Sequence, residues 1–168
     1  SDETLKLIEL FLREKVAPED RAAKVSQIIN FAKEIGSKAA RWYFLAIGWT
    51  KAVEELTNDS ILDFARTIGP EAYFRVIAET KAVEKLTNDS ILDFARTIGP
   101  EAAEAYFRAI AETKAVEELT NDRVLKTTNF IKDIGPKAAG AYFWAIAKTG
   151  AVEKLTNDNV LDFARTIG

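Results

Sequence analysis

Apolar residues fall at the three-and-four spacing of amphipathic helices in short segments, and these segments return about every thirty residues. One of them begins after Thr57–Asp59, a run of side chains that cap helix starts by accepting hydrogen bonds from free backbone amides. The apolar residues that follow this run are Ile61, Leu62, Phe64, Ala65 and Ile68. The pattern predicts a short first helix, named helix A of the repeat.

A second apolar segment follows the junction of Gly69 and Pro70, where glycine can end one helix and proline can begin the next. Its apolar residues cover more than one stripe, as expected for a helix that packs on two sides. They include Tyr73 and Phe74, and a Tyr-Phe pair returns in the other copies. This segment is named helix B. The residues from Ala82 to Leu86 either extend helix B or form a short third helix, and the sequence leaves both open.

The segments belong to a tandem repeat. Residues 51–72 recur at 81–102 with one change, Glu55 to Lys85, looser copies begin at Lys114 and Gly150, and a diverged copy runs through 29–50. A unit of this size cannot bury its own apolar face and must stack on its neighbours. The pattern therefore predicts an all-α, right-handed α-solenoid of tandem helical hairpins, with about 4.5 repeats of 30–36 residues.

The predicted organisation is a single helical-repeat domain. Its segments are an N-terminal capping helix at 1–16, repeats at 17–50, 51–80, 81–113 and 114–149, and a partial C-terminal repeat at 150–168. The capping helix is read from an amphipathic stretch with Leu5, Ile8 and Leu12 on one side, and it is expected to cover the exposed face of the first repeat. A three-residue insertion around Ala103–Ala105 is close to one helical turn, so the lengthened helix keeps its apolar face.

The helical hairpins have a Gly-Pro or Gly-Ser corner, and a segment such as AVEKL precedes the next helix start. In these features the chain, from about Ala17 to Gly168, resembles the HEAT and armadillo class of α-solenoids. The resemblance implies a concave or grooved surface that binds proteins and carries no chemistry.

The amino-acid composition argues against several classes of function. The chain has no cysteine and no histidine, so the usual nucleophiles, general bases and zinc ligands are missing, and we expect no enzyme activity, no cofactor and no metal site. Carboxylate pairs such as Asp59 and Asp63 recur once per repeat, which is typical of charges at helix starts. The net charge is −3, which does not favour binding to an anionic membrane. No apolar run approaches the length of a membrane span, so we expect no association with a membrane.

A further hypothesis is that the chain binds nucleic acid, with each repeat contacting one base. It rests on basic residues at one repeat position, which are Lys33, Arg66, Arg96, Lys132 and Arg165. Acidic residues lie three positions earlier in three of the repeats, at Asp63, Asp93 and Asp162. Pairs at this spacing share a helix face and neutralise the basic stripe, so the pattern argues against nucleic acid as a partner.

A protein or peptide is the favoured partner. Positions that vary between otherwise matched repeats are candidates for specificity, and the equivalent positions on helix B are Leu45, Arg75, Arg108 and Trp144. The tryptophans are Trp42, Trp49 and Trp144, and exposed tryptophans often anchor partners. The alternative interpretation is that they fill gaps in the packing of the end repeats. A second copy of the chain is also a candidate partner, through the open C-terminal end.

Near-identical repeats and the lack of cysteine, histidine and methionine are typical of an engineered scaffold. A natural protein-interaction module with recently duplicated repeats is the alternative, and such a module is expected in the cytoplasm. We therefore expect a non-catalytic helical-repeat scaffold of one of these two origins.

Overall fold

The structure is a computed structural model that describes residues 2–113, 129–130 and 133–149. The regular secondary structure in these residues is helix, which confirms the all-α prediction. The helices are α1 Asp2–Lys15, a 3-10 turn Pro18–Asp20, α2 Arg21–Ile35, α3 Ser37–Thr50, α4 Val53–Leu56, α5 Asp59–Ile68, α6 Pro70–Thr80, α7 Val83–Leu86, α8 Asp89–Ile98, α9 Pro100–Thr113 and α10 Pro136–Thr149. The predicted partial repeat at 150–168 lies outside the described residues.

Helix A is α2, α5 and α8 in the first three repeats, and helix B is α3, α6, α9 and α10. The predicted cap is present at two helix starts, because Asn58 and Asn88 each accept a hydrogen bond from a backbone N–H, that of Ser60 at 2.9 Å and that of Ser90 at 2.8 Å. Substitution of such a cap by alanine typically costs about 1 kcal/mol of stability. Each start is therefore fixed by its own local sequence.

A single glycine makes the corner between helices A and B. The N–H of Gly69 donates to the carbonyl of Ala65 at the end of α5, while the carbonyl of Gly69 accepts from Tyr73 in the first turn of α6. Its φ is 127°, and Gly99 at the next corner has φ 87°. Because residues with a Cβ rarely adopt such backbone angles, glycine allows a turn that needs no further linker residue.

A short third helix follows helix B, which settles the alternative that the sequence left open. The residues that end helix B, Lys51 and Lys81, adopt the left-handed conformation, with φ of 62° and 58°. This conformation stops α3 and α6 before α4 and α7 begin. The Tyr43 hydroxyl donates to the carbonyl of Leu56 at 3.0 Å, so α4 is held against α3, the helix B that precedes it.

The insertion predicted in the third repeat lengthens helix B. Helix α9 has 14 residues where α6 has 11, and the apolar residues Tyr106 and Phe107 stay buried like Tyr73 and Phe74. One added turn returns the helix to nearly the same face. A second insertion, expected near Lys126–Thr128, lies outside the described residues.

The chain divides into two compact units, residues 1–83 and 84–168. In the first unit, α3 packs against α2 and α6, α5 packs against α6, and α1 packs against α3 and α4. In the second unit, α9 packs against α8 and α10. Each unit therefore contains contacts between helices of the same repeat and contacts between neighbouring repeats.

One ring contact recurs within every repeat whose rings the structure describes. The phenylalanine of helix A meets the tyrosine of helix B edge-on, with ring centres 5.0 Å apart each time. The pairs are Phe31–Tyr43, Phe64–Tyr73, Phe94–Tyr106 and Phe130–Tyr142. Phe64 and Phe94 thus have matching surroundings, as the repeat predicts, and Phe163 lies outside the described residues.

A second ring contact joins neighbouring repeats. The ring of Tyr43 lies 4.8 Å from that of Phe74, and the ring of Tyr106 lies 5.2 Å from that of Phe143. In both cases the tyrosine of one helix B contacts the phenylalanine of the next. Edge-on and tilted aromatic pairs of this kind add about 0.5–1.5 kcal/mol beyond the burial of their area.

The N-terminal helix buries Ile8 and Leu12, as the sequence predicts, but not Leu5. Its buried residues are Thr4, Ile8 and Leu12, whereas Leu5 is 58% exposed. The reason is a close approach between α1 and α3, because a Cβ placed on Gly48 would lie 2.6 Å from the Thr4 hydroxyl oxygen. The smaller Thr4 side chain therefore faces α3 at this point, and Leu5 is directed away.

Candidate protein-binding face

The four residues predicted for partner binding lie on four successive B helices. Leu45 is on α3, Arg75 on α6, Arg108 on α9 and Trp144 on α10. The first two belong to the first unit and the last two to the second. Each unit is therefore described by itself.

In the first unit, one side of α3 carries Trp42, Leu45 and Trp49. Their spacing of three and four residues places them on one face of the helix. Trp42 and Leu45 are half-buried, and Trp49 is 49% exposed. This row is apolar and reaches solvent at its Trp49 end.

Arg75 lies over this row from the neighbouring helix α6. The guanidinium carbon of Arg75 is 5.8 Å from the ring centre of Trp42, and its Nε donates to Glu79 at 3.2 Å. The Glu79 carboxylate is one helical turn further along α6, so it orients the guanidinium over the indole. Arg75 is thus held in place by two neighbours.

The second unit repeats this arrangement with the residue types exchanged between helices. The guanidinium carbon of Arg108 on α9 lies 5.0 Å from the ring centre of Trp144 on α10. Glu104, one turn before Arg108, accepts a hydrogen bond from its Nη2 at 2.9 Å. Trp144 is 44% exposed, so its ring is accessible to a partner, as an anchor residue must be.

These contacts use part of the binding capacity of the predicted arginines. The guanidinium groups of Arg75 and Arg108 each stack on an indole and bind a carboxylate. The exposed indoles of Trp49 and Trp144 offer a large apolar area, and a tryptophan side chain loses little conformational entropy on binding. The tryptophans are therefore the stronger candidates for partner contact.

The contact between Arg75 and Trp42 was not predicted from the sequence. A signal was present, because Trp42 occupies the position before the repeat tyrosine, where the other copies have Ala72, Ala105 and Ala141. A large ring at a position of alanine must extend beyond its own helix. The spacing of Arg75 and Glu79, four residues apart, was also readable as a helical ion pair.

Two of the basic residues proposed for nucleic acid, Arg66 and Arg96, form ion pairs on helix A. Arg66 binds Asp63 at 2.6 Å, as the spacing predicts, and also Glu34 of the preceding repeat at 2.7 Å. Arg96 binds Asp93 at 3.4 Å. These carboxylates offset the positive charge of both arginines, which weakens their attraction for phosphate.

Two other members of this stripe, Lys132 and Arg165, lie outside the described residues, and Lys33 is exposed on α2. Arg66 has an additional role, because its guanidinium carbon is 5.0 Å from the ring centre of Phe31. It therefore connects α5 to α2 through both an ion pair and a stacking contact.

The repeated carboxylates lie on an exposed helix surface. Asp63 is paired with Arg66, and Asp59 accepts a hydrogen bond from the Gln27 side chain of α2. In the part of the chain that the structure describes, no group of three or more potential metal-binding side chains comes together. The Asp59 contact therefore joins α5 to α2, whereas the Asp63 pair lies within α5.

Comparison with protein-family models, with curated proteins and with solved structures gives no significant match. Among the helices described, none combines the length and the apolar character that crossing a bilayer requires. The repeat packing and the Arg–Trp surfaces are therefore the features of the described residues that bear on function.

Proposed function

We propose that the chain is a non-catalytic helical-repeat scaffold, a right-handed α-solenoid whose helix B face binds proteins or peptides. The observation that carries the proposal is the pair of Arg–Trp surfaces on successive B helices. Near-identity of residues 51–72 and 81–102 favours an engineered origin for the repeats, and a natural interaction module would use the same face.

Support for stacked repeats comes from the two kinds of ring contact. The contact within a repeat has the same 5.0 Å separation in each described pair, and the contact between repeats joins Tyr43 to Phe74 and Tyr106 to Phe143. Because the tyrosine of one repeat packs against the phenylalanine of the next, the core of each repeat is completed by its neighbour. This is the packing that a solenoid requires.

Support for protein binding comes from the chemistry of the face. Trp49 and Trp144 are exposed aromatic residues, and Arg108, which is bound to Glu104, stacks on the ring of Trp144. Aromatic residues surrounded by fixed polar groups are typical of the centre of a protein interface. The paired charges leave little net attraction for a highly charged polymer.

The test is a selection of peptides from a random library on the immobilised chain. Peptides that bind are expected to lose about 30-fold in affinity when Trp49→Ala or Trp144→Ala is introduced, since a buried tryptophan anchor contributes about 2 kcal/mol or more. Leu5→Ala is the matched control, because Leu5 is an exposed apolar residue on α1, outside the face. It is expected to leave affinity unchanged. Selected peptides that bind both tryptophan variants as well as the parent chain would contradict the proposal.

A further inference from the structure

Helix α1 fills only part of the space that a preceding repeat would fill. In the second repeat, Phe74 of helix B points back toward the first repeat and contacts Phe31 and Tyr43. Its equivalent in the first repeat is Phe44, whose carbonyl accepts a hydrogen bond from the Thr4 hydroxyl at 3.4 Å. Helix α1 therefore takes the place of a preceding helix B.

Within the described residues, no helix covers the corresponding side of α2, the helix A of the first repeat. In the second repeat, Leu62 lies between Asp59 and Arg66 on the side of α5 that faces α2, and it is 1% exposed. The equivalent residue of the first repeat, Ile29, is 46% exposed. The position that a neighbouring helix A fills for Leu62 is thus open beside Ile29.

This side of α2, here named the outer α2 face, is uncharged over about two turns. It consists of the exposed residues Ala22, Val25, Ser26 and Ile29. The charged residues on the opposite side of α2 are engaged elsewhere, since Lys24 donates to the carbonyl of Thr57 at 2.6 Å and Glu34 binds Arg66. Small residues at two of the four positions allow a second helix to approach closely.

The ends of the outer α2 face carry opposite charges. Lys33 is exposed at the C-terminal end, and the acidic residues Glu19 and Asp20 are exposed just before the N-terminal end. A parallel pair of α2 helices would bring the two copies of Lys33 together. An antiparallel pair brings Lys33 of each copy toward the acidic end of the other, and it opposes the two helix dipoles.

We propose that the outer α2 face pairs with the same face of a second copy, in an antiparallel two-fold dimer. Val25 of one copy then lies opposite Ile29 of the other, and each Ile29 gains the helix neighbour that Leu62 already has. The interface uses one patch from each copy, as a closed two-fold dimer requires. With a single helix from each side the area is small, so the dimer is a weak one.

The first experiment measures association of the intact chain. Sedimentation equilibrium over a concentration series that reaches several hundred micromolar is expected to approach twice the chain mass and to stop there. Ile29→Glu is expected to raise the dissociation constant at least ten-fold, because it places a charge in an apolar contact on both copies. Leu5→Glu, at an exposed apolar site on α1, is the control and leaves the constant unchanged. Circular dichroism confirms that each variant is folded.

Three results would overturn the proposal. A chain that stays monomeric throughout the series has no such interface. Growth beyond two chains indicates head-to-tail contacts through other ends of the molecule. A dimer that Ile29→Glu leaves intact uses another surface.

The second experiment tests the antiparallel orientation. The parent chain has no cysteine, so Val25→Cys and Ile29→Cys each provide one thiol. Under mild oxidation, an equal mixture of the two variants is expected to form several-fold more mixed disulfide than either variant forms with itself. Mass spectrometry separates the three products. A mixed disulfide no more than about twice as abundant as either unmixed one, which is the ratio of random pairing, would contradict antiparallel pairing.

Discussion

Replacing Phe74 by alanine lowers the free energy of unfolding by about 3–5 kcal/mol, the usual cost of removing a fully buried phenylalanine. Phe74 has no exposed surface and contacts three rings, those of Phe31, Tyr43 and Tyr73. Two of these belong to the preceding repeat. The substitution therefore opens a cavity at the junction between repeats and removes the ring contact that joins them.

Phe44 provides the matched control, because it occupies the same position in the first repeat. It is half-buried and its ring lies 5.3 Å from that of Tyr43. Phe44→Ala is expected to cost about 1–2 kcal/mol, in proportion to its smaller buried area. Urea unfolding followed by circular dichroism measures both values. Equal losses for the two variants would show that the junction between repeats contributes nothing special at Phe74.

The chain is expected to unfold as the pH rises above about 10, with the loss of about 1.4 kcal/mol per pH unit for each fully buried tyrosine. Burial raises the pKa of Tyr43 and of Tyr73 well above the ordinary value of 10.0, and it raises the pKa of Tyr142 to about 12. The neutral phenol is therefore favoured in the folded chain. Below pH 10 both folded and unfolded chains keep the proton, so stability does not depend on these groups. Above it, the unfolded chain loses protons first and is stabilised.

The measurement is a pair of alkaline titrations, one by far-ultraviolet circular dichroism and one by the absorbance of tyrosinate. Loss of helix and ionisation of Tyr43 and Tyr73 are expected to occur together. Tyr43→Phe keeps the ring contacts and removes one ionisable group, so its stability falls less steeply with pH. Because it also removes the hydrogen bond to Leu56, about 1 kcal/mol is lost at neutral pH. Full ionisation of all tyrosines near pH 10 with intact helices would contradict this prediction.

Helix positions and corners could be predicted from the sequence because each depends on residues close together in the chain. The Asn58 cap, the Gly69 corner and the added turn of α9 all follow from local rules, and all three are present. The break after α3 was harder to predict, since a lysine, Lys51, adopts the left-handed conformation that glycine usually takes. Gly150 at the equivalent position was the available signal.

Contacts between repeats could not be predicted at the level of residues. The stacking of Arg75 on Trp42 and the ion pair of Arg66 with Glu34 join helices whose relative positions depend on the packing of the rings between them. The stripe of α1 was predicted wrongly at Leu5 because Thr4 and Leu5 both fit helical spacing. The choice depends on Gly48, a residue of another helix.

Deletion of residues 51–80 tests most directly whether neighbouring repeats complete one another's core. The deletion removes 30 of 168 residues and joins Thr50 to Lys81, which restores the Thr-Lys sequence found at both original junctions. We expect the shortened chain to keep the same helix content per residue, to unfold cooperatively, and to have a urea m-value smaller by about one-sixth, in line with the smaller surface exposed. Loss of helix in the remaining residues would contradict an account in which each repeat packs on whichever equivalent repeat adjoins it.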